Sequence, residues 1–490
     1  MSSVLESHSP VFTSPGHSPD EDRRERAAID ASCRTPVLYA FGSAICWLVL
    51  GSLFGLLASI KLHSPDDLTG HLSWFTFGRV RTAHMNIVTY GWSALAGVGV
   101  SIWLMARLCR TKLVAQSLIM LGITLWNIAL IVGIFGILKG DMTSIKWLEL
   151  PKYASPLLFA AFALSGIWVV YMFTQRQPGH VYVSQWYLIL AFFSFPWVYG
   201  TAQLLLLMHP VQGSVFGLIN FWYINNILSL FFTPIALAAA YYFIPKVIGK
   251  PIHSYHLAIV GFWTMAFFSN WAGMHHMIGG PAPAWMVTVS VVSSVLILIP
   301  VITVAINFHM TMEGSFEALR YSPTLRFVVF GAVAYTLASF QGVLMSFQGL
   351  NNVTHFTDYS IGHSHLGMYA FYTMVMFGSI YYIVPRLIQW EWPSAWLIRM
   401  HFWFTVLGSS LMIITLTTGG LIQGMGLNDE KVPFSAIIDS EALFRITRSF
   451  AGMAMLIGHL AFASVFALML LKFGHRSTGA TLLHREIPES

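Results

Sequence analysis

Residues 361–384 read IGHSHLGMYAFYTMVMFGSIYYIV. No Asp, Glu, Lys or Arg interrupts this run, and it exceeds the ~20 apolar residues a helix needs to cross a bilayer. Two of its residues, His363 and His365, are nonetheless titratable and sit near its start. Comparable runs recur from Pro36 onward, near 37–60, 82–106, 114–138, 155–174, 182–208, 214–244, 254–278, 285–309, 326–348, 400–423 and 449–472. Only helices and closed barrels satisfy backbone polar groups in lipid, and these runs are too long for barrel strands. The expected fold is all-α, a polytopic membrane protein built as a bundle of about twelve transmembrane helices.

Composition excludes the alternatives. Of 490 residues only 9% are charged and 56% are hydrophobic, whereas soluble proteins carry about 25% charged residues. A soluble globular enzyme is ruled out. The net charge of +6 comes from basic residues scattered singly between apolar runs, so no nucleic-acid partner is expected. Cys33, Cys46 and Cys109 form neither CxxC nor CxxCH, which excludes zinc ribbons, thiol redox pairs and covalently attached c-type haem. Residues 1–35 are polar and read as a disordered cytoplasmic tail without the apolar core of a signal peptide. Residues 36–475 form the membrane domain and 476–490 a second cytoplasmic tail. No internal repeat supports an inverted-repeat transporter.

Twelve spans put both termini on one side. Lys and Arg are more numerous on the tails and the connections of that side than on the opposite ones, so both termini are expected in the cytoplasm. Spans 2 and 10 then run inward and span 7 runs outward. His84, His275, His276, His363 and His365 therefore share one layer near the outer surface.

A single histidine near a span end, such as His209, His309, His401 or His459, is ordinarily a hydrogen-bonded or interfacial residue rather than a ligand. Five in one layer point elsewhere, because intramembrane titratable groups are expensive and imidazole is the natural axial ligand of haem iron. His363 and His365, two apart on a helix, point roughly 200° from one another and suit two metals on opposite sides. Adjacent His275 and His276, at a distorted helix end, suit one metal.

Arg81-Thr82-Ala83-His84-Met85-Asn86, Trp271-Ala272-Gly273-Met274-His275-His276 and Ile361-Gly362-His363-Ser364-His365 resemble subunit I of the cbb3-type cytochrome c oxidases, in the haem–copper oxidoreductase superfamily. Trp222-Tyr223, Tyr241-Tyr242-Phe243-Ile244-Pro245-Lys246 and Thr354-His355-Phe356-Thr357-Asp358 extend the likeness over roughly residues 75–460. The resemblance implies that His84 and His365 are axial ligands of a low-spin b haem. It makes His363 the proximal ligand of a high-spin b haem, His275 and His276 ligands of the facing copper, and Arg448 the partner of a haem propionate. It also implies a c-type cytochrome subunit as electron donor, a small gas substrate and the bacterial inner membrane.

Two positions depart from that pattern, both at the reaction centre. Asn225 stands where the family has its third copper histidine, and Ser269 stands where it has its cross-linked tyrosine. An amide is a poor copper ligand, so the metal is expected to be copper or non-haem iron at a degraded site. Splitting O–O takes four electrons at once, one of them from the tyrosine in oxidases, whereas coupling two NO takes two. Nitric oxide reductases of the superfamily do without the tyrosine but usually add a carboxylate, and Ser229, one turn after Asn225, is not one. No Asp or Glu is expected deep in any span, which leaves Tyr255, Thr264 and Ser269 as either a hydroxyl proton route or helix-packing groups. The readings are an O2-reducing respiratory core subunit, an NO reductase-like enzyme, or a haem-bearing electron-transfer or assembly subunit with a decayed second metal site. A twelve-span carrier leaves the histidine layer unexplained.

Overall fold

Ser18 and Glu21 open the first helix with a capping box. Ser18 Oγ accepts from the Glu21 N–H at 3.3 Å, and a Glu21 carboxylate oxygen accepts from the Ser18 N–H at 2.7 Å. The helix runs from Pro19 to Ile60. Residues 19–35 are thus helical, which corrects the expected tail. One face of this polar stretch, Ile29 and Cys33, continues into Val37 and Phe41 and is buried throughout, a spacing of about one turn. Asp30 is fixed by the Trp103 indole N–H at 2.9 Å and by Arg107 at 3.4 Å.

The computed structural model describes residues 18–66, 68, 69, 72–476 and 483. The rest of both expected tails, 1–17 and most of 476–490, lies outside them. Among the described residues there is no strand, and twelve helices are long and apolar enough to span a membrane. They are α1 Pro19–Ile60, α2 Phe77–Cys109, α3 Gln116–Lys139, α4 Ser155–Thr174, α5 Val183–Met208 and α6 Ser214–Ile248. The second half comprises α7 Tyr255–Met277, α8 Ala284–Met312, α9 Pro323–Ser346, α10 Asp358–Ile388, α11 Ala395–Leu427 and α12 Phe434–Leu470.

Burial sorts these helices. The most apolar windows of α2 and α10 are each 94% buried and that of α6 78%, against 33–50% for the others. The centre of the bundle is therefore formed by the helices that bear His84, His363 and His365, while Trp197, Trp263, Trp285, Leu407 and Ile414 face outward. Both central helices loosen into π-helix directly after their histidines, at Ile87–Ser93 and Leu366–Thr373. The two loosened stretches are cross-bonded. Trp92 Nε1 donates to Thr373 Oγ1 at 3.0 Å, and the Tyr372 hydroxyl donates to the Ser93 carbonyl at 2.9 Å. Such widened turns free carbonyls and re-aim side chains, and they gather at functional sites.

Candidate functional site

His84 and His365 are prepared in the same way. His84 Nδ1 lies 2.7 Å from the Gly51 carbonyl on α1, and His365 Nδ1 lies 2.9 Å from the Ile361 carbonyl one turn back. A carbonyl only accepts, so each Nδ1 carries the proton and each Nε2 keeps its lone pair for a metal. Gly55 is required beside His84: a Cβ there would lie 2.6 Å from Cε1 and 2.7 Å from Nδ1. Arg81 and Arg448 act electrostatically on His84, and Arg448 also on His365. Neither guanidinium donates a hydrogen bond to another described residue. Two unpaired cations beside a pair of imidazoles leave a place for an anionic group. Arg81 was legible only as part of a motif; its role emerges from this geometry.

His363 points away from that pair. Its Nδ1 meets the Gln341 side-chain oxygen of α9 at 3.3 Å, and its ring lies against Gly342, where a Cβ would stand 3.2 Å from Cε1. The opposite wall comes from the end of α7, where regular helix stops at Phe268. Two short 3₁₀ turns, Ser269–Trp271 and Met274–Met277, follow on either side of Gly273, whose φ is +98°. That break brings the rings of His275 and His276 to 4.4 Å, tilted by 40°. Ser290 and Ser294 of α8 hold His275 Nδ1 at 3.4 and 3.1 Å. His276 stacks on Phe221 of α6 at 5.0 Å. His355, outside the spans, lies 6.3 Å from His276, and burial, with Lys146 adding to it, holds its imidazole below the usual histidine range.

Asn225 and Ser269 face this same wall. Asn225 packs on Gly273, where a Cβ would come within 2.6 Å of its own Cβ. Its amide donates to the Ser269 carbonyl at 2.7 Å and to Ser229 Oγ at 3.4 Å. Ser269 Oγ is buried without a partner. Among the described residues no group of three His, Cys, Asp or Glu is arranged to hold a metal ion.

The expected hydroxyl route on α7 does not form a line. The Tyr255 hydroxyl accepts from the Val183 N–H at 2.9 Å and contacts the Val181 carbonyl, and Thr264 donates to its own helix at Val260, 2.6 Å away. A second correction concerns acids. Asp30 and Glu441 are buried within helical segments, Glu441 completely, because α1 and α12 begin well before their apolar runs. Glu149 is also buried, in the connection after α3; desolvation raises its carboxyl, against which Asn86 Nδ2 donates at 3.1 Å.

The single histidines follow the plain reading. His209 and His309 are exposed. His401 Nδ1 pairs with the Tyr381 hydroxyl at 2.9 Å. His459 bridges Tyr369 and Ser52, each at 2.6 Å, and links α10 to α1 through α12.

A family profile described as "Cytochrome C and Quinol oxidase polypeptide I" matches residues 35–454. The chain belongs to this haem–copper oxidase subunit I family. It is 30% identical over 459 residues to a bacteroid cytochrome c oxidase subunit 1 homologue of Bradyrhizobium diazoefficiens, covering 87% of this chain and 80% of the relative. It is 28% identical over 412 residues to the cbb3-type cytochrome c oxidase subunit CcoN1 of Stutzerimonas stutzeri, covering 81% and 85%. A solved haem–copper terminal oxidase dimer shares the fold, with a TM-score of 0.73, 14% identity, and coverage of 94% and 88%. This haem–copper oxidase subunit I homologue is accordingly a multi-pass membrane protein of an oxidoreductase superfamily that uses haems and copper.

Proposed function

We propose that this subunit I homologue is the haem-bearing core of a bacterial respiratory complex that passes electrons from a c-type cytochrome subunit to a small gas, with O2 as the first reading. His84 and His365 are assigned to a low-spin b haem, His363 to a high-spin b haem, and His275 with His276 to the facing metal. The observation that carries the proposal is the shared preparation of His84 and His365, each with Nδ1 bonded to a carbonyl and Nε2 free, on the two most buried helices. Arg81 and Arg448 supply the cations that haem propionates require.

Haem bound at these residues supplies reversible one-electron chemistry and an open iron coordination position. The chain itself holds the ring tautomers and keeps the two arginines unpaired until propionates arrive. The second metal fits less well. Two imidazoles are present, but the third position is an amide whose NH2 is turned to the Ser269 carbonyl, so no step is derived through a three-histidine copper. That mismatch favours a second reading, two-electron NO reduction at the same pocket. Both termini are assigned to the cytoplasmic side of the bacterial inner membrane, from the distribution of Lys and Arg.

Haem extraction and reduced-minus-oxidised spectra of the purified complex test the reading. Two b haems per chain, one low-spin and one high-spin, are expected. A chain that purifies folded without b haem overturns it.

A further inference from the structure

Glu441 has no role so far, yet its side chain is wholly solvent-inaccessible and neither carboxylate oxygen has a hydrogen-bond partner. Its bland explanations fail on geometry. It occupies the cap position of the Ala442–Leu470 helix but makes no side-chain cap bond. Arg445, one turn on, acts on it electrostatically but lies beyond salt-bridge distance among the described residues. An ionised carboxylate left this way is strongly disfavoured, as any buried unpaired charge is. The group must therefore carry a proton or hold water.

Its neighbours place it. Gly419 of α11 faces it, and a Cβ there would lie 3.3 Å from Glu441 Oε2. The next residue, Gly420, packs on the Asp358–Tyr359 backbone that opens α10, and Gln423 accepts the Asp358 N–H at 2.9 Å. Asp358 is the other charge that acts on Glu441, and α11 meets the carboxylate with Gly419. Arg448, two turns along α12, lies within the field of Asp358, Arg81 and Arg445. Thr417 Oγ1, buried without a partner, stands against Gly362 beside His363. Orphaned polar atoms of this kind mark where a few waters are held. They run from Glu441 past α11 toward the segment that bears His363 and His365.

We propose that Glu441 is the carboxyl through which protons pass between the aqueous face at this end of the bundle and the arginine-lined histidine layer. The proposal rests on the haem assignment above. The step makes and breaks only O–H bonds. Glu441 releases its proton to a neighbouring water when negative charge leaves the arginine cluster and regains one when it returns. The carboxylate's charge is balanced meanwhile by Arg445.

The test uses the holoenzyme in lipid vesicles with Glu441→Gln and Glu441→Asp. Redox-difference infrared spectra of the wild type should show a protonated-carboxyl band that moves on haem reduction. That band should vanish in Glu441→Gln and shift in Glu441→Asp. Proton transfer at the outer face after single-electron injection, followed with an impermeant pH dye, should slow about a hundredfold in Glu441→Gln and partly recover in Glu441→Asp. Haem content is measured in every sample, so a wild type lacking b haem counts against the haem assignment rather than against Glu441. An unchanged carboxyl band with unchanged proton kinetics in either variant overturns the proposal. Should Glu441→Gln fail to assemble, the shift in Glu441→Asp alone decides.

Discussion

The Asn225 side-chain amide donates to the Ser269 main-chain carbonyl at 2.7 Å. These are the two positions at which the chain leaves the pattern of the family it resembles, and they touch. The bond ties α6 to the break at the end of α7 and commits the amide NH2 to a main-chain carbonyl. Ser269 Oγ, on the same residue, is left without a partner. The two changes act as one local rearrangement of the pocket wall.

Restoring histidine at Asn225 should therefore do more than add a nitrogen. It breaks the tie to Ser269 and presents an imidazole toward His275 and His276. Copper per chain, measured by metal analysis of the purified Asn225→His protein, should rise relative to wild type. Unchanged copper, with haem retained, would mean that this position is not part of the metal site.

His84 should be needed for one haem and not the other. His84→Ala is expected to abolish the six-coordinate low-spin b signal while any high-spin signal persists. Gly55→Ala should weaken the same signal without replacing a ligand, because its Cβ would sit 2.6 Å from the His84 ring and displace it. Reduced spectra of both variants check this, and an unaltered low-spin signal in His84→Ala would remove the assignment.

Much of this was readable because a bilayer allows few solutions. The apolar runs had to be helices, and the five histidines stood out because lipid tolerates them only for a use. The α7 break was readable from the adjacent His275-His276. Hydropathy hid the helix ends. Residues 19–35 and Glu441 are too polar to join an apolar run, yet tertiary burial of one face keeps them in α1 and α12. The π-helical turns after His84 and His365 leave no local signature, and the free guanidiniums of Arg81 and Arg448 are defined by three-dimensional surroundings alone. His459 is hydrogen-bonded, as expected of a single histidine near a span end, but its partners Tyr369 and Ser52 come from distant spans.

His355 gives the pocket an acid limit. Its imidazole is held below the usual range by burial first and Lys146 second, and its Nε2 is buried without a partner. The unfolded chain thus takes up this proton before the native state does. Stability is retained above about pH 6.5 and falls as pH drops through that value toward the lower native one. Thermal unfolding of the solubilised protein should show this slope, and His355→Gln should flatten part of it. An identical slope in the variant would exclude His355 as a source.

Ser269 cannot give up a hydrogen atom at accessible potentials, so four-electron O2 reduction here needs another tyrosine. Tyr223 donates to Tyr90 at 2.7 Å, and Tyr90 in turn donates to the Trp147 carbonyl at 2.6 Å; a phenol is a poor proton acceptor. Tyr369 is better placed. Ser52 donates to the Leu48 carbonyl at 2.7 Å, so Ser52 accepts from His459 Nδ1–H, and His459 Nε2 accepts from the Tyr369 hydroxyl. Tyr369 therefore has an imidazole ready for its proton as an electron leaves. Tyr369→Phe should lower O2 turnover and increase partly reduced products while leaving NO turnover unchanged, and Tyr223→Phe should alter neither. The substitution also strands a buried imidazole nitrogen, at a cost of about 1–3 kcal/mol, which a thermal unfolding scan will register separately. In the wild type, the ratio of NO to O2 turnover should exceed that of a cbb3-type oxidase that keeps its tyrosine. Clean, fast reduction of O2 to water in Tyr369→Phe, with NO inert, would refute both the substitute tyrosine and the two-electron reading.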